Sequence, residues 1–331
     1  MDSPLFIVAL LVTATQPGNT VIMESRPMGD RLDSFLMAAG GAVLVCATAG
    51  MLSGREPFAT WYYSFAWWSY IVFADAWLHH RTGRSALLRN RRAPQVFALS
   101  IAIWLIFEAY NFRLNNWHYL EIPSNLPLRW LGYSVAFATV LPGIFVTAEL
   151  LQTVWQPGSF SGRTIPPGLP GLLLWVGLVG SVIPALWPTY FFPMVWLGPT
   201  GLLAAVNFRL GGSGILTDIR ERGPAKLYRL VGAGMVCGLL WECWNFWAGS
   251  KWVYNIPFFG GSPLFEMPIA GFLGFPPFAI ECHEMYVLGE GLLRRVQYRP
   301  VLRLAFWLLL AAWVVLVYLG IDAFTVRSFQ E

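Results

Sequence analysis

Apolar residues run in long unbroken stretches along this 331-residue chain, without alternation of apolar and polar positions. A spanning helix needs about 20 mostly apolar residues to cross about 30 Å of hydrocarbon. Windows of that length predict nine spans, near 34–52, 57–80, 94–113, 128–153, 168–188, 190–208, 226–248, 264–290 and 300–322. Charges mark sharp breaks at Arg89-Asn90-Arg91-Arg92 and Arg220-Glu221-Arg222-Gly223-Pro224. The break within 168–208 is softer, made only by Pro184, Pro188, Pro193 and Pro199 in an uncharged run. Strands of a membrane barrel would alternate in polarity, so the pattern excludes a barrel. Residues 4–14 are apolar but too short to span, and no basic residue precedes them as in a secretory signal. Residues 1–33 therefore read as an N-terminal extension.

Composition agrees and adds an orientation. The chain is 56% hydrophobic and only 12% charged, with 17 tryptophans. So few charges cannot cover a water-facing surface, which excludes a cytosolic enzyme, a secreted disulfide module and a disordered chain. Cys46, Cys237, Cys243 and Cys282 lie in apolar stretches without disulfide or zinc spacing. With nine spans, 17 of the 22 basic residues fall on one face, including Arg81, Arg84, Arg89, Arg91 and Arg92. Only Arg55, Arg113, Arg129, Lys251 and Arg327 fall on the other. The positive-inside rule makes the first face cytoplasmic. The expected location is a bacterial inner membrane, with span one starting in the cytoplasm and the C-terminus outside.

The chain also repeats itself. Glu108-Ala109-Tyr110-Asn111-Phe112 returns as Glu242-Cys243-Trp244-Asn245-Phe246, displaced by 134. Ile122-Pro123 returns as Ile256-Pro257 and Pro142 as Pro276, while Trp117-His118-Tyr119 matches Trp252-Val253-Tyr254 after a one-residue slip. The predicted span starts agree at the same displacement. The expected fold is thus an all-α integral membrane protein with a 4+4 parallel internal repeat plus one C-terminal helix. Repeat 1 covers 34–153, a linker 154–167, repeat 2 168–290, and the ninth span with its tail 291–331. Four crossings return the chain to its starting face, so the pseudo-axis runs along the membrane normal, as in parallel-repeat transporters.

Ionisable residues inside spans are costly and are functional candidates. An outer tier comprises Glu108 and Asn111, Glu242 and Asn245, and Glu266 at the opening of span eight. Glu and Asn at i, i+3 share one helix face, and a carboxyl group deprived of water favours its neutral form, able to act as a general acid. An inner tier comprises Asp75 and His79 on span two, Glu149 on span four, and Glu281, His283 and Glu284 on span eight. Imidazole and carboxylate ligands leave room for a divalent metal there, although no HExxH or ExxH pattern occurs. The plainer reading is that these groups hold helices together or reach interfacial water. Pro142-Gly143 and Pro276-Pro277 would kink spans four and eight at matched positions. Gly234-x-x-x-Gly238 allows close helix packing. Nucleic-acid motifs and phosphate-binding glycine loops are absent.

In the second repeat, Trp241-Glu242, then Trp252-Val253-Tyr254, then Pro263-Leu264-Phe265-Glu266 before apolar sequence resembles the membrane lycopene cyclase domain family of carotenoid biosynthesis. That family shows a Trp-acid pair, a Trp-x-Tyr and a Pro-x-Glu-Glu, here with Phe265-Glu266 in place of the double acid. Phe107-Glu108 and Trp117-His118-Tyr119 match in the first repeat, without the third motif. The resemblance implies cofactor-free cyclisation or isomerisation of an isoprenoid: a Glu protonates an alkene, and Trp117, Tyr119, Trp241, Trp244, Trp252 and Tyr254 bind the substrate and its cation. A carboxylate or Asn-bound water removes a proton. Three readings stay open: an enzyme on an isoprenoid or other membrane lipid, a proton-coupled transporter with a carboxylate site between the repeats, and a non-catalytic assembly protein. An enzyme requires an aromatic-walled cavity with Glu242 at its base; a transporter requires a water path joining the two tiers.

Overall fold

A computed structural model describes residues 29–155, 160–257 and 263–328. The 4–14 stretch and most of the 1–33 extension lie outside the described residues, as does part of the 154–167 linker. Most apolar runs fold as single helices. These are α1 (Gly29–Leu52), α2 (Phe58–Thr82) and α3 (Ala93–Leu114), then, after a strand β1 (Trp117–Leu120), α4 (Leu126–Phe137) and α5 (Val140–Val154). There follow α6 (Leu169–Leu186), the short α7 (Pro188–Phe191), a 3-10 turn (Phe192–Trp196), α8 (Gly198–Arg209), α9 (Ile215–Arg222) and α10 (Ala225–Trp247). Strands β2 (Lys251–Tyr254), β3 (Pro263–Leu264) and β4 (Met267–Pro268), a 3-10 turn (Ile269–Gly274), α11 (Phe275–Val296) and α12 (Pro300–Phe324) complete the order.

Local chemistry sets the ends. Gly83, at φ 68°, takes the left-handed conformation that closes α2, its N–H bonding to the His79 carbonyl. Asn115 does the same for α3. Asn125 caps α4 by accepting from Leu128 N at 3.0 Å. Three predicted spans are subdivided, the sixth (190–208) into α7, a 3-10 turn and α8. Span four breaks between α4 and α5, so Pro142 and Gly143 sit in the first turn of α5 instead of kinking a continuous helix. Span eight begins later than 264: residues 263–274 form a hairpin and a 3-10 turn, and Pro276 and Pro277 lie in the first turn of α11. Proline lacks the N–H that a helix interior needs but suits a first turn, which accounts for the late start.

Six segments among the described residues are long and apolar enough to cross a membrane: Arg31–Leu52, Ala93–Leu114, Leu126–Val154, Leu169–Leu186, Pro188–Arg209 and Pro300–Phe324. Their outer faces suit lipid. Leu304, Leu308, Leu309, Leu316 and Leu319 on α12, and Leu172, Trp175, Val176 and Val179 on α6, are all exposed. The long helices α2, α10 and α11 bury polar groups instead, among them Asp75, Glu242, Asn245, Glu281 and Glu284.

Packing pairs α1 with α2 and α6 with α8, α2 with α5 and α8 with α11, and α3 with α5 and α10 with α11. Two crossed contacts, α5 with α10 and α3 with α11, join these groups. The α10–α11 approach depends on glycine. A Cβ at Gly234 would meet the Phe275 carbonyl at 2.4 Å, and one at Gly238 would meet the Phe275 ring at 2.2 Å. Above the helices, β1 and β2 pair antiparallel, with Trp117 opposite Tyr254, His118 opposite Val253 and Tyr119 opposite Trp252. The C-terminal segment flanks β1, since Tyr119 N donates to the Thr325 carbonyl and Arg327 N to the Tyr119 carbonyl. Asp322 ties α12 to α4, accepting from Arg129, the Trp130 indole and the Tyr133 hydroxyl.

Candidate functional site

A cavity of about 230 Å³ lies between the helices and the β1–β2 ribbon. Its wall is largely aromatic: Trp61, Tyr63, Trp104, Trp117, Tyr119, Tyr133, Phe137, Trp196, Trp241, Trp252, Tyr254, Phe275 and Phe278 all line it. The rings brace one another. Phe278 packs edge-on to Trp241 at 5.4 Å and to Trp104 at 6.0 Å between centroids, and Tyr63 meets Trp252 edge-on at 5.2 Å. The breaks in spans four and eight border the space, through Ala136, Phe137 and Val140 on one side and Gly274 and Phe275 on the other. Proline-directed breaks thus open the interior where continuous helices would close it.

Among the described residues, Glu242 is the one acidic side chain of the lining. It is fully buried, accepts a 2.7 Å bond from the Tyr254 hydroxyl on Oε1, and meets no donor on Oε2. Glu108 is arranged alike but set behind the wall. Its Oε1 accepts from the Tyr119 hydroxyl at 2.5 Å, the Trp104 indole at 2.9 Å and the Trp117 indole at 3.2 Å, while Oε2 meets no donor. Those three donors stand between Glu108 and the cavity that they line.

The asparagines serve the backbone. Asn111 Oδ1 accepts from Asn116 N and Trp117 N, and its Nδ2 donates to the Trp117 carbonyl. Asn245 accepts from Trp252 N and donates to the Trp252 carbonyl. Each amide therefore fastens the start of a ribbon strand to the end of a helix, a structural task at the edge of the site. Glu266, in the turn between β3 and β4, pairs with Lys251 at 2.5 Å; Lys251 lines the cavity and Glu266 does not. Of the expected substrate-binding residues, Trp117, Tyr119, Trp241, Trp252 and Tyr254 line the cavity. Trp244 lies behind them, packed edge-on to Trp67 at 4.9 Å.

The residues of the inner tier do not converge. Asp75 accepts from Ser85 Oγ and from the backbone N–H groups of Ala86, Leu87 and Leu88, organising the turn between α2 and α3. His79 binds Asp33, which also pairs with Arg89 at 2.6 Å. Glu149 is half-buried on α5. Glu284 accepts from Asn207 Nδ2 and Ile215 N, each at 2.6 Å. His283 Nδ1 lies 3.5 Å from Glu284 Oε1, and Glu281 is fully buried with neither oxygen partnered. No group of three or more His, Cys, Asp or Glu side chains among the described residues is placed to hold a metal ion.

Sequence reasoning missed Tyr63, Trp104, Tyr133, Trp196, Phe278 and Lys251 in this lining. Trp104 did leave a signal, standing one helical turn before Glu108 where its indole can reach the carboxyl. The others come from distant helices and carry no local mark. Within the ribbon, His118 keeps its imidazole more easily neutral than usual, through burial and then the nearby Arg327 charge. Compared with protein-family models, curated proteins and solved structures, the chain matches none of them.

Proposed function

We propose that the protein is an integral-membrane enzyme acting on an isoprenoid or another membrane lipid, with Glu242 as its acid. One observation carries this reading: a buried carboxyl with a free oxygen reaches a cavity whose wall is mostly apolar and rich in aromatic rings. Water-soluble substrates have few partners in such a wall, whereas an apolar chain fits it. Tyr254 holds Oε1, which leaves Oε2 and its proton directed to the substrate. The Oε2–H bond breaks as a C–H bond forms on an alkene carbon. The cation that results rests against the faces of Trp241, Trp252 and Phe278. It then loses a proton from a neighbouring carbon to a carboxylate or water, so the balance is an isomerisation or ring closure without a cofactor. This is the chemistry that the lycopene cyclase resemblance implies, and the reading extends that resemblance to this chain.

The proposed framework is nine spans built as four, four and one. Contacts support it: α1–α2, α2–α5, α3–α5 and α5–α10 correspond, at a displacement near 134, to α6–α8, α8–α11, α10–α11 and α3–α11. The ribbon register favours it too, because a two-fold axis through His118 and Val253 exchanges Trp117–Tyr254 with Tyr119–Trp252. Parity is supported by ion pairs at one end, where Asp33 at the start of α1 meets Arg89 before α3, and Arg92 meets Glu290 near the end of α11. We assign that end to the cytoplasm, of a bacterial inner membrane, on the distribution of basic residues.

Mass spectrometry of lipids co-purifying with the protein tests the reading. An isoprenoid or other long-chain lipid, enriched in wild type and converted by it but unconverted by Glu242→Gln, is expected. Bulk phospholipid alone, equally retained by both, would overturn it. A proton-coupled transporter is the second reading, favoured by the unpartnered, buried Glu281 outside the cavity; net proton movement coupled to a solute in proteoliposomes would establish it.

A further inference from the structure

A second pocket, of about 300 Å³, opens at the C-terminal end of α3. Arg113, Asn115 and Asn116 line it from that end, Thr189 from α7 and Asn255 from the segment after β2, with leucine and proline between them. Among the described residues, no acidic side chain belongs to this lining. The side chains of Arg113, Asn116, Thr189 and Asn255 make no hydrogen bond or ion pair with any described residue. Asn116 stands apart from the rest because it is only 8% exposed, yet its carboxamide is neither bonded nor sealed in the core. A buried amide in that position is costly unless something in the adjoining space bonds it.

The other half of the chain closes its counterpart of this space. Between α10 and β2, Gly249 N donates to the Ala59 carbonyl at 2.8 Å and Ser250 N to the Thr60 carbonyl at 3.3 Å, tying that connection to the start of α2. Ser250 Oγ adds a bond to the Glu121 carbonyl at 2.6 Å, and a Cβ at Gly249 would meet the Ala59 oxygen at 3.0 Å. The matching connection, between α3 and β1, is Asn115–Asn116. Its N–H groups turn back to Asn111, Asn115 N to the carbonyl and Asn116 N to Oδ1, each at 2.8 Å. Among the described residues, neither reaches α7. One half is thus packed shut by glycine and serine, while the other stays open and is ringed by longer polar side chains.

The lining selects an anion with several oxygens. Arg113 brings a planar fork of N–H donors, suited to phosphate and carboxylate alike. The Asn116 and Asn255 amides and the Thr189 hydroxyl come from three further points around the space. A tetrahedral phosphate presents oxygens in several directions, whereas a planar carboxylate does not. Asn115 Oδ1 accepts from Arg327 at 3.5 Å, which sets a second cation beside the rim. Lipid lies close by, since Trp187, Tyr190 and Phe191 around the start of α7 are exposed, as aromatic anchors at headgroup depth are. We propose that this pocket binds the phosphate group of a membrane lipid, whose chains run outside the protein along the exposed Leu186 and Trp187. The site stands whether or not Glu242 is an acid. Asn116 also lines the aromatic cavity, so an occupied headgroup site holds one residue of the cavity wall in place.

Native mass spectrometry of the full-length protein in a phosphate-free detergent tests the inference. Added phosphatidic acid should be retained at a single copy per chain, and diacylglycerol with the same chains should not. Arg113→Gln should weaken retention by about tenfold or more, as expected when a charge-assisted hydrogen bond is lost. Arg55→Gln removes an exposed charge from the connection between α1 and α2, outside the pocket, and should change nothing. Equal weakening by both variants, or equal retention of diacylglycerol, would overturn the site. Inorganic phosphate that displaces the lipid at a comparable concentration would overturn the lipid as the source of the anion. Arg113 is exposed and unbonded to any described residue, so its variant should unfold like wild type. Should that variant fail to fold, Asn255→Ala carries the test, and undiminished retention there would overturn the proposal.

Discussion

Glu108 and Glu242 occupy matching motifs, yet their replacement should affect stability very differently. Methionine is similar in length and cannot accept these hydrogen bonds. At position 108 it strands the Tyr119 hydroxyl and the indoles of Trp104 and Trp117, all of which point at Oε1. At position 242 it strands the Tyr254 hydroxyl alone. Each orphaned buried donor costs about 1–3 kcal/mol, so Glu108→Met should lose about 3 kcal/mol or more and Glu242→Met about 1–3 kcal/mol. Removing a buried carboxyl also relieves its desolvation, but both side chains are fully buried, so this relief largely cancels in the comparison. Two extra donors leave a difference of about 2 kcal/mol or more. Reversible unfolding in mixed micelles, followed by tryptophan fluorescence, measures it. Function should divide the opposite way: Glu242→Met removes the acid at the cavity, and Glu108→Met distorts the wall. Equal losses of stability, or a larger loss at Glu242, would refute the view that Glu108 is a structural hub behind the cavity.

Further outcomes are expected from the same geometry. Asn111→Ala breaks three hydrogen bonds and Asn245→Ala two, so the first should unfold at the lower denaturant concentration; a normally stable but inactive Asn111→Ala would instead support a chemical role for the amide. Asp75→Ala should cost several kcal/mol, since four donors lose a buried carboxylate at about 1 kcal/mol or more each. Prolonged chelation should leave wild-type stability unchanged, because Asp75 and His79 are satisfied by protein partners; a fall in the melting temperature would point to a bound metal. Cysteines introduced in the 81–93 loop should react with a membrane-impermeant reagent only after the cytoplasmic side is opened, and labelling of intact cells would reverse the orientation.

Much of the framework was legible because a membrane imposes simple rules. Apolar length alone located Gly29–Leu52, Ala93–Leu114 and Pro300–Phe324 within a few residues. The subdivided segments escaped because hydropathy reads composition, not backbone hydrogen bonding. Residues 263–274 are apolar enough for a span, but Pro263, Pro268 and the following glycines favour a hairpin and a 3-10 turn. The pairing of each Glu with a Tyr was partly written in the Glu…Trp-x-Tyr spacing, since helix and ribbon strand adjoin in sequence. The aromatic cavity was not. Tyr63, Tyr133, Trp196 and Phe278 come from four separate elements, and nothing in their local sequence says that they meet.

Matching motifs also overstated how alike the two acids are, and packing around a shared centre explains the difference. Two halves facing one axis compete for the same central volume, so a large side chain in one calls for a small one in the other. Under the proposed repeat, Trp67 and Trp104 correspond to Gly201 and Gly238. Trp104 is large enough to reach Glu108 and to wall it off. Gly238 offers no such indole, and the Phe275 ring lies against it instead. Glu242 therefore retains one donor and an open oxygen, where Glu108 acquires three donors. The exchange of Thr147 for Glu281 falls in the same half as Glu242. A bare carboxyl in the half with the open acid, and a satisfied threonine in the other, follows if a single half carries the chemistry and the other supplies its wall.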